Sequence, residues 1–484
     1  MHKYIKRIFS CIMTVFITIV MLNMTSDIME RKESVIKNGD FIKEKQNVDV
    51  LFLGTSHVIN GVYPMELWNE YGIVSYNLAG HDTPMASSYW VLQNALDYTM
   101  PKVVVIDCMG IRNPVKVSNH FDYTHVCFDA FPLSFTKVRA VNDLLAGNEE
   151  HSKWDLLFPL SQYHNRWNQL TDDDFNVEYN SEKGAEMRVD LVTPLSFDTI
   201  PAEQKVLDNT VSIEYLERII VECEAAGIEV LLTYLPFPAE AYYQEEANRC
   251  YDIAEAYGVD YINFLEIDIV DYQTDCYDEA SHLNPSGARK VTSYIGQYIM
   301  DNYAVSDQRQ NTDYEDWMSD YEEYQVKKNS ILTDIENPYV YMAMLTDHNY
   351  NVIIEVTNNE ILLDAKLCVL FENLGIDCSN LENVKYIVLD NNKGIVDYIT
   401  EEQMAQEGIQ TSFGLFSKTW YSDTSYELAV DGKVYYDVLV EDDQWHDMRT
   451  MVIDNRTQQL VESLYYMHLE DENIEWNTIL CRVN

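Results

Sequence analysis

Apolar positions in this chain form one long run near the amino terminus, and after it short blocks that alternate with segments of helical period. The run from Ile8 to Met24 is 17 residues long and broken only by Ser10, Thr14, Thr18 and Asn23, at the short edge of what spans a bilayer. Past it, Val48–Leu53, Val74–Asn77, Lys102–Asp107, Glu229–Tyr234 and Asp260–Phe264 read as strands. The first has the length and branching of a parallel strand covered on both faces. Met65–Tyr71, Pro84–Tyr98, Ile213–Ala225, Ala239–Tyr257 and Ser286–Tyr303 read as helices, the last with Val291, Ile295 and Ile299 on one face. Such alternation predicts an α/β domain over residues 45–303, a parallel sheet in three layers.

From Asn113 to Pro201 the rhythm fails, over a length that exceeds a connecting loop. This insert, with Phe131, Phe135, Trp154, Phe158, Tyr163 and Trp167, is expected to cap the strand ends, where loops build substrate sites. A helical subdomain with its own core is the equal alternative, since aromatic stripes pack more often than they bind. Residues 304–337 read as an acidic linker in which Ser306–Lys328 becomes a surface helix. Beyond Pro338 come short strands at Tyr350–Val356, Val384–Leu389, Tyr426–Val430, Tyr435–Leu439 and Met448–Ile453, with a helix at Ile361–Leu374. They predict a smaller α+β domain over 338–484.

Charge narrows the partners. Eighty acidic against 33 basic side chains give a net charge of −47, so nothing supplies a footprint for nucleic acid, and polyanionic substrates are disfavoured. The acidity runs through sequence rich in Tyr, Ile, Val and Leu, which makes it a solvated surface rather than disorder. Lys3, Lys6 and Arg7 precede the apolar run, and no small-residue cleavage site follows. Residues 1–28 are therefore read as an uncleaved signal anchor that puts the bulk of the chain outside the cytoplasm; a cleaved secretory signal is the rival. Nine cysteines show no C-x-x-C pair, and no HExxH helix, P-loop or dinucleotide fingerprint is present. Neither a metal site nor a cofactor is expected.

The candidate chemistry lies where the first strand stops, at Gly54-Thr55-Ser56-His57. Ligands of open α/β sheets sit at the carboxyl ends of the strands, and a serine in such a turn exposes its hydroxyl with its own N–H beside it. A capping serine is the bland reading. More than two hundred residues later, YDEASHLNPSGARK (Tyr277–Lys290) supplies His282 behind a pair of acids. Together these blocks, GTSH…G…P and SHLN..GA, resemble the first and last blocks of the SGNH (GDSL-type) hydrolase superfamily. Within it they resemble the membrane-anchored branch that includes the SGNH proteins of teichoic-acid D-alanylation and alginate O-acetylation.

The resemblance implies a flavodoxin-like sheet, Ser56 as nucleophile and His282 as its base. The superfamily's Asp-x-x-His spacing would select Glu279 to orient the imidazole, but the aspartate stands one residue earlier, and Asp278 is taken for that role. Gly80 and Asn165 are taken as oxyanion donors beside the serine N–H, and Tyr163, His164, Arg166 and Trp167 as contacts to a sugar or neutral polymer. The activity implied is an acyl-ester hydrolase or O-acyltransferase, acetyl in particular, on a cell-surface glycan, with a multipass membrane O-acyltransferase as donor partner in the transfer case. Relatives often have glycine where Asp82 stands, and the usual Gly-x-Asn-Asp is not visible. The alternative is thus an SGNH-fold glycan-binding scaffold that has lost catalysis. The run YELAVDGKVYYDVLVEDDQWHDMRTMVIDNRTQQLVES resembles the interleukin-like EMT inducer domain found on cell-surface glycan proteins.

Overall fold

The structure is a computed structural model and describes residues 2–32, 35–177, 179–359, 361, 364–381, 383–404, 408–422, 425–439, 446–468 and 478–482. Its organising sheet has strands β1 (Val50–Leu53), β2 (Ser75–Asn77), β3 (Val103–Asp107), β4 (Glu229–Tyr234) and β5 (Asp260–Asn263). They lie in the order β2-β1-β3-β4-β5, and every neighbouring pair is parallel. That is the flavodoxin-like order. Side chains alternate across it as a pleated strand requires. Leu51 and Leu53 pack with Val104 and Ile106 against one helical layer containing Met85–Ala95, Val211–Ala226 and Ala241–Tyr257. Val50 and Phe52 pack with Val103 and Val105 against the other, which holds Ser56–Gly61, Pro64–Tyr71 and Pro285–Asn302.

The insert has no core of its own. Phe128, Phe131, Ala140, Val141 and Leu144 from its helices Phe121–Phe128 and Phe135–Leu144 join the first of these layers, against Tyr89 and Trp90. Helix His2–Met29 stands apart, apolar from Tyr4 to Met29 and unburied by the rest of the molecule.

The expected surface helix of the linker is instead a packed one, Glu315–Asp334. Trp317, Tyr321, Tyr324, Lys328 and Leu332 recur at helical spacing and are all buried, the first three against Met65 and Trp68. Glu315, Asp316, Glu322, Glu323 and Asp334 are exposed, and Asp320 pairs with the buried Lys183. After it come two antiparallel sheets, one of six strands built around Met448–Asp454 and Tyr350–Val356, one of four built around Leu415–Ser422 and Ser425–Val430. Ile353, Tyr386 and Met451 of the first sheet meet Phe416, Tyr426 and Leu428 of the second. The helices Pro338–Met344 and Ala365–Asn373 cover the first sheet's other face, so the region is α+β. Within the stretches read from sequence, 362–363 and 440–445 lie outside the described residues.

Candidate active site

At the end of β1 the backbone turns through Gly54, whose φ is +151°. A Cβ there would stand 2.6 Å from Val58 Cγ2 and 2.9 Å from Asp107 Cβ, a spacing only glycine tolerates. Ser56 follows as the first residue of helix Ser56–Gly61. Asn77, at the end of β2, fixes that helix by donating to the carbonyls of Val58 (2.8 Å) and Val62 (3.0 Å).

The turn before helix Pro285–Asn302 brings the second half of the site. Asn284 caps the helix, accepting from Ser286 N–H at 3.0 Å and Gly287 N–H at 3.3 Å, and Pro285 takes the first helical position, where the missing N–H costs nothing. Two residues earlier His282 points back at the serine. Ser56 Oγ lies 2.8 Å from His282 Nε2, and His282 Nδ1 lies 2.8 Å from Asp278 Oδ2. An ionised carboxylate only accepts, so Nδ1 carries the proton and Nε2 is left to accept the serine O–H. The other oxygen of Asp278 accepts the His282 backbone N–H at 3.0 Å.

This geometry accounts for the unusual spacing. Between acid and base lies one residue more than the Asp-x-x-His pattern, and Ser281 absorbs it in the left-handed region at φ +67°. The turn closes through Ser281 N–H to Asp278 C=O (3.0 Å) and Tyr277 N–H to His282 C=O (2.9 Å). Glu279 is exposed on the cavity rim.

Two rings flank His282. Tyr277 stacks at 5.6 Å between centroids and His57 at 4.5 Å. His57 is buried, neither ring nitrogen has a hydrogen-bond partner, and burial first, then the neighbouring His282, push it down to about 3. It stays neutral. Asp107 closes β3 beneath the turn, accepts Leu235 N–H at 2.9 Å, and is pushed up to about 7 by burial.

Ser56, His57 and His282 open on a cavity of about 1030 Å³. Its walls come from the carboxyl ends of the strands: Asp82 to Pro84 after β2, Met109, Gly110, Asn113 and Pro114 after β3, and Phe237, Pro238, Glu240, Tyr242 and Tyr243 after β4. Val192 to Phe197, the far end of the insert, complete the rim. No lysine or arginine lines it, whereas Asp82, Glu240, Glu246 and Glu279 do. Glu246 is engaged in holding the loop after β3, accepting the N–H groups of Gly110 (2.9 Å) and Arg112 (3.2 Å). Asp82 sits at φ +44° and accepts from Ser118 Oγ at 2.6 Å, a left-handed position that glycine occupies without strain.

The remaining candidates from sequence are elsewhere. Gly80 donates its N–H to Gly54 C=O at 3.1 Å, which removes it as an oxyanion donor. Asn165 is exposed and outside the cavity lining; Tyr163, which is buried, and His164, Arg166 and Trp167 are outside it too. The segment that carries them lies beside the carboxyl end of the amino-terminal helix instead. Arg166 donates to the carbonyls of Met29 (2.5 Å) and Glu30 (2.9 Å), Tyr163 OH donates to Asp129 at 2.8 Å, and His164 bonds Ser161 C=O at 2.8 Å. Trp167 is 69% exposed. An uncharged amide that the cavity does contain is Asn113, whose Oδ1 accepts Val115 N–H at 3.1 Å and leaves its amide donors unspent on that contact. Its signal in the sequence was position, six residues past the last residue of β3 on a strand-end loop. Phe237, Tyr242 and Tyr243 after β4 carried the same signal. Among the described residues no group of three or more His, Cys, Asp or Glu is placed to hold a metal.

No family model matches the chain, and no curated protein matches it. Among solved structures it is similar to a protein described as lipolytic and of the G-D-S-L family from Desulfitobacterium hafniense DCB-2, with a TM-score of 0.28, 11% identity, and coverage of 52% of this chain and 99% of that one. It is also similar to an acetyl xylan esterase from the rumen bacterium Butyrivibrio proteoclasticus, with a TM-score of 0.23, 6% identity, and coverage of 53% and 65%. Overlap of that extent leaves the geometry of Ser56, His282 and Asp278 as the ground for reading the chemistry.

Proposed function

We propose that this chain cleaves or transfers acyl esters through Ser56, with an acetyl group on a cell-surface glycan as the substrate class. The observation that carries the reading is the relay of two 2.8 Å contacts, Ser56 Oγ to His282 Nε2 and His282 Nδ1 to Asp278. A serine hydroxyl needs such a base, and the base needs an orienter. Ser56 Oγ attacks the acyl carbonyl while Nε2 takes its proton, the sugar oxygen leaves with that proton, and an acyl-serine remains. Water or a second sugar hydroxyl then attacks, its proton again passing through His282. Asp278 keeps Nδ1–H aimed throughout. The Ser56 N–H and Asn113 are assigned as donors to the oxyanion, in place of Gly80 and Asn165.

The cavity supports a neutral, ring-shaped substrate. About 1030 Å³ exceeds an acetyl group alone, Phe237, Tyr242 and Tyr243 offer faces for a sugar, and the four carboxylates oppose an anion. Helix Tyr4–Met29, long and apolar enough to cross a membrane, supports anchoring, and Lys3, Lys6 and Arg7 ahead of the apolar run favour the bulk outside the cytoplasm. A multipass membrane O-acyltransferase is the donor assigned in the transfer case.

The second reading is a silent glycan-binding scaffold, favoured by Gly80 having spent its N–H on Gly54. Acetate release from an acetylated oligosaccharide separates the two. The acyl-transfer reading expects release that Ser56→Ala abolishes and Asn113→Ala cuts by about a hundredfold. Saturable glycan binding with no release, unchanged in Ser56→Ala, would establish the scaffold.

A further inference from the structure

A second cavity, of about 860 Å³, lies across the loop after β2 from the first, with Gly80 and His81 in its lining where Asp82 to Pro84 line the other. The two share no lining residue. In a chain of net charge −47 this lining is basic, with Arg31, Lys32, Lys37, Arg188 and Lys327. Two of its carboxylates are already matched, Glu182 with Lys327 at 2.5 Å and Glu186 with Arg188 at 2.9 Å, and the third, Asp173, is exposed.

Two lysines are left with carbonyls as their hydrogen-bond partners. Lys32 Nζ donates to Asp27 C=O at 2.6 Å and Ile28 C=O at 3.2 Å. Lys37 Nζ donates to Gly184 C=O at 2.9 Å, which uses one of the three donors of its ammonium, and the residue is only 7% exposed. A buried cation so thinly compensated is costly. Burial holds it down to about 8, and an anion beside it would favour the charged form further. Its position is fixed, because Tyr76 OH donates to Lys37 C=O at 2.8 Å and Asn38 donates to Cys127 C=O at 2.7 Å.

We propose that this cavity binds the phosphate of an anionic membrane lipid through Lys32 and Lys37. Place decides for a lipid over soluble phosphate: Arg31 and Lys32 come just past Met29, where the apolar helix ends, with the buried Glu30 between. Basic groups within a Debye length of a bilayer attract whatever anionic headgroups that leaflet carries, and an anchored chain meets them at high local concentration. A free phosphate has to approach through the field of the whole acidic molecule. The inference rests on helix Tyr4–Met29 lying in a bilayer and is independent of the chemistry at Ser56.

The test is native mass spectrometry of the full chain in neutral detergent, titrated with short-chain phosphatidylglycerol, diacylglycerol or inorganic phosphate. Phosphatidylglycerol should be retained, Lys32→Ala and Lys37→Met should each weaken retention about tenfold, and Lys32→Arg should restore it. Lys32→Ala is partly exposed and is expected to melt as wild type, so its loss reports the site and not the fold. Equal retention of diacylglycerol, equal competition by inorganic phosphate, or variants that bind as wild type would each overturn the proposal. Ester turnover by Lys32→Ala should be unchanged, which keeps this result separate from the fate of Ser56.

Discussion

Asp278 and Glu279 differ by one methylene and one position, yet only Asp278 reaches His282 Nδ1, at 2.8 Å. Asp278→Asn is therefore expected to lower kcat by about ten-thousand-fold, because an amide favours the wrong imidazole tautomer. Glu279→Gln should leave it near wild type; the reverse ranking in steady-state kinetics would make Glu279 the orienter. His57 gives a prediction in pH. Its folded value of about 3 lies below the ordinary 6.5, so between these values the unfolded chain binds the extra proton. Stability from this group is complete above pH 6.5 and is lost as pH falls toward 3. His57→Phe removes the loss, and its melting temperature should gain on wild type between about pH 7 and pH 4. A constant difference across that range would contradict the burial of a neutral imidazole.

The turn Asp278–His282 shows how an element corrects a motif. Spacing alone favours Glu279, and the inserted residue is accommodated only because Ser281 adopts φ +67°. Ser281→Gly should be tolerated, whereas Ser281→Val should cost about 1–2 kcal/mol and lower kcat more than it changes KM, as read by thermal melting and kinetics together. Strands β1 to β5 were legible in the sequence because a sheet covered on both faces leaves continuous apolar blocks such as VLFL and VVVID. Ser56 and His282 were legible for a related reason: strand ends and capped helix starts leave local marks. Asn113 was not, since Gly110-Ile111-Arg112-Asn113 departs from the Gly-x-Asn-Asp spacing. The YHNRW stretch misled because aromatic and polar residues give one signal whether they bind a sugar or pack. What decides between them is the amino-terminal helix, whose end Arg166 holds through Met29 and Glu30. No periodicity encodes that contact.

Across the whole molecule, the α/β domain and the carboxyl-terminal sheets are joined by buried charge. Lys328 lies 2.7 Å from Glu66 and 2.5 Å from Asp347, and Arg289 lies 3.1 Å from Asp347. The network spans helix Pro64–Tyr71, helix Pro285–Asn302, helix Glu315–Asp334 and the residue three before strand Tyr350–Val356. Removing one partner strands the others, so Lys328→Met should cost about 3–5 kcal/mol, seen as a lower denaturation midpoint, and a chain cut after Tyr303 should not fold to the same stability. In the α/β domain, Ser56 is proposed as a nucleophile activated by His282 and Asp278. The most direct test is labelling of the intact protein with a fluorophosphonate, followed by mass spectrometry of the peptide that carries Ser56. The account predicts a single adduct on Ser56, absent in Ser56→Ala and suppressed in His282→Ala, in proteins that melt as wild type does. Folded wild-type protein that takes up no label, or a label that survives the loss of His282, would contradict it.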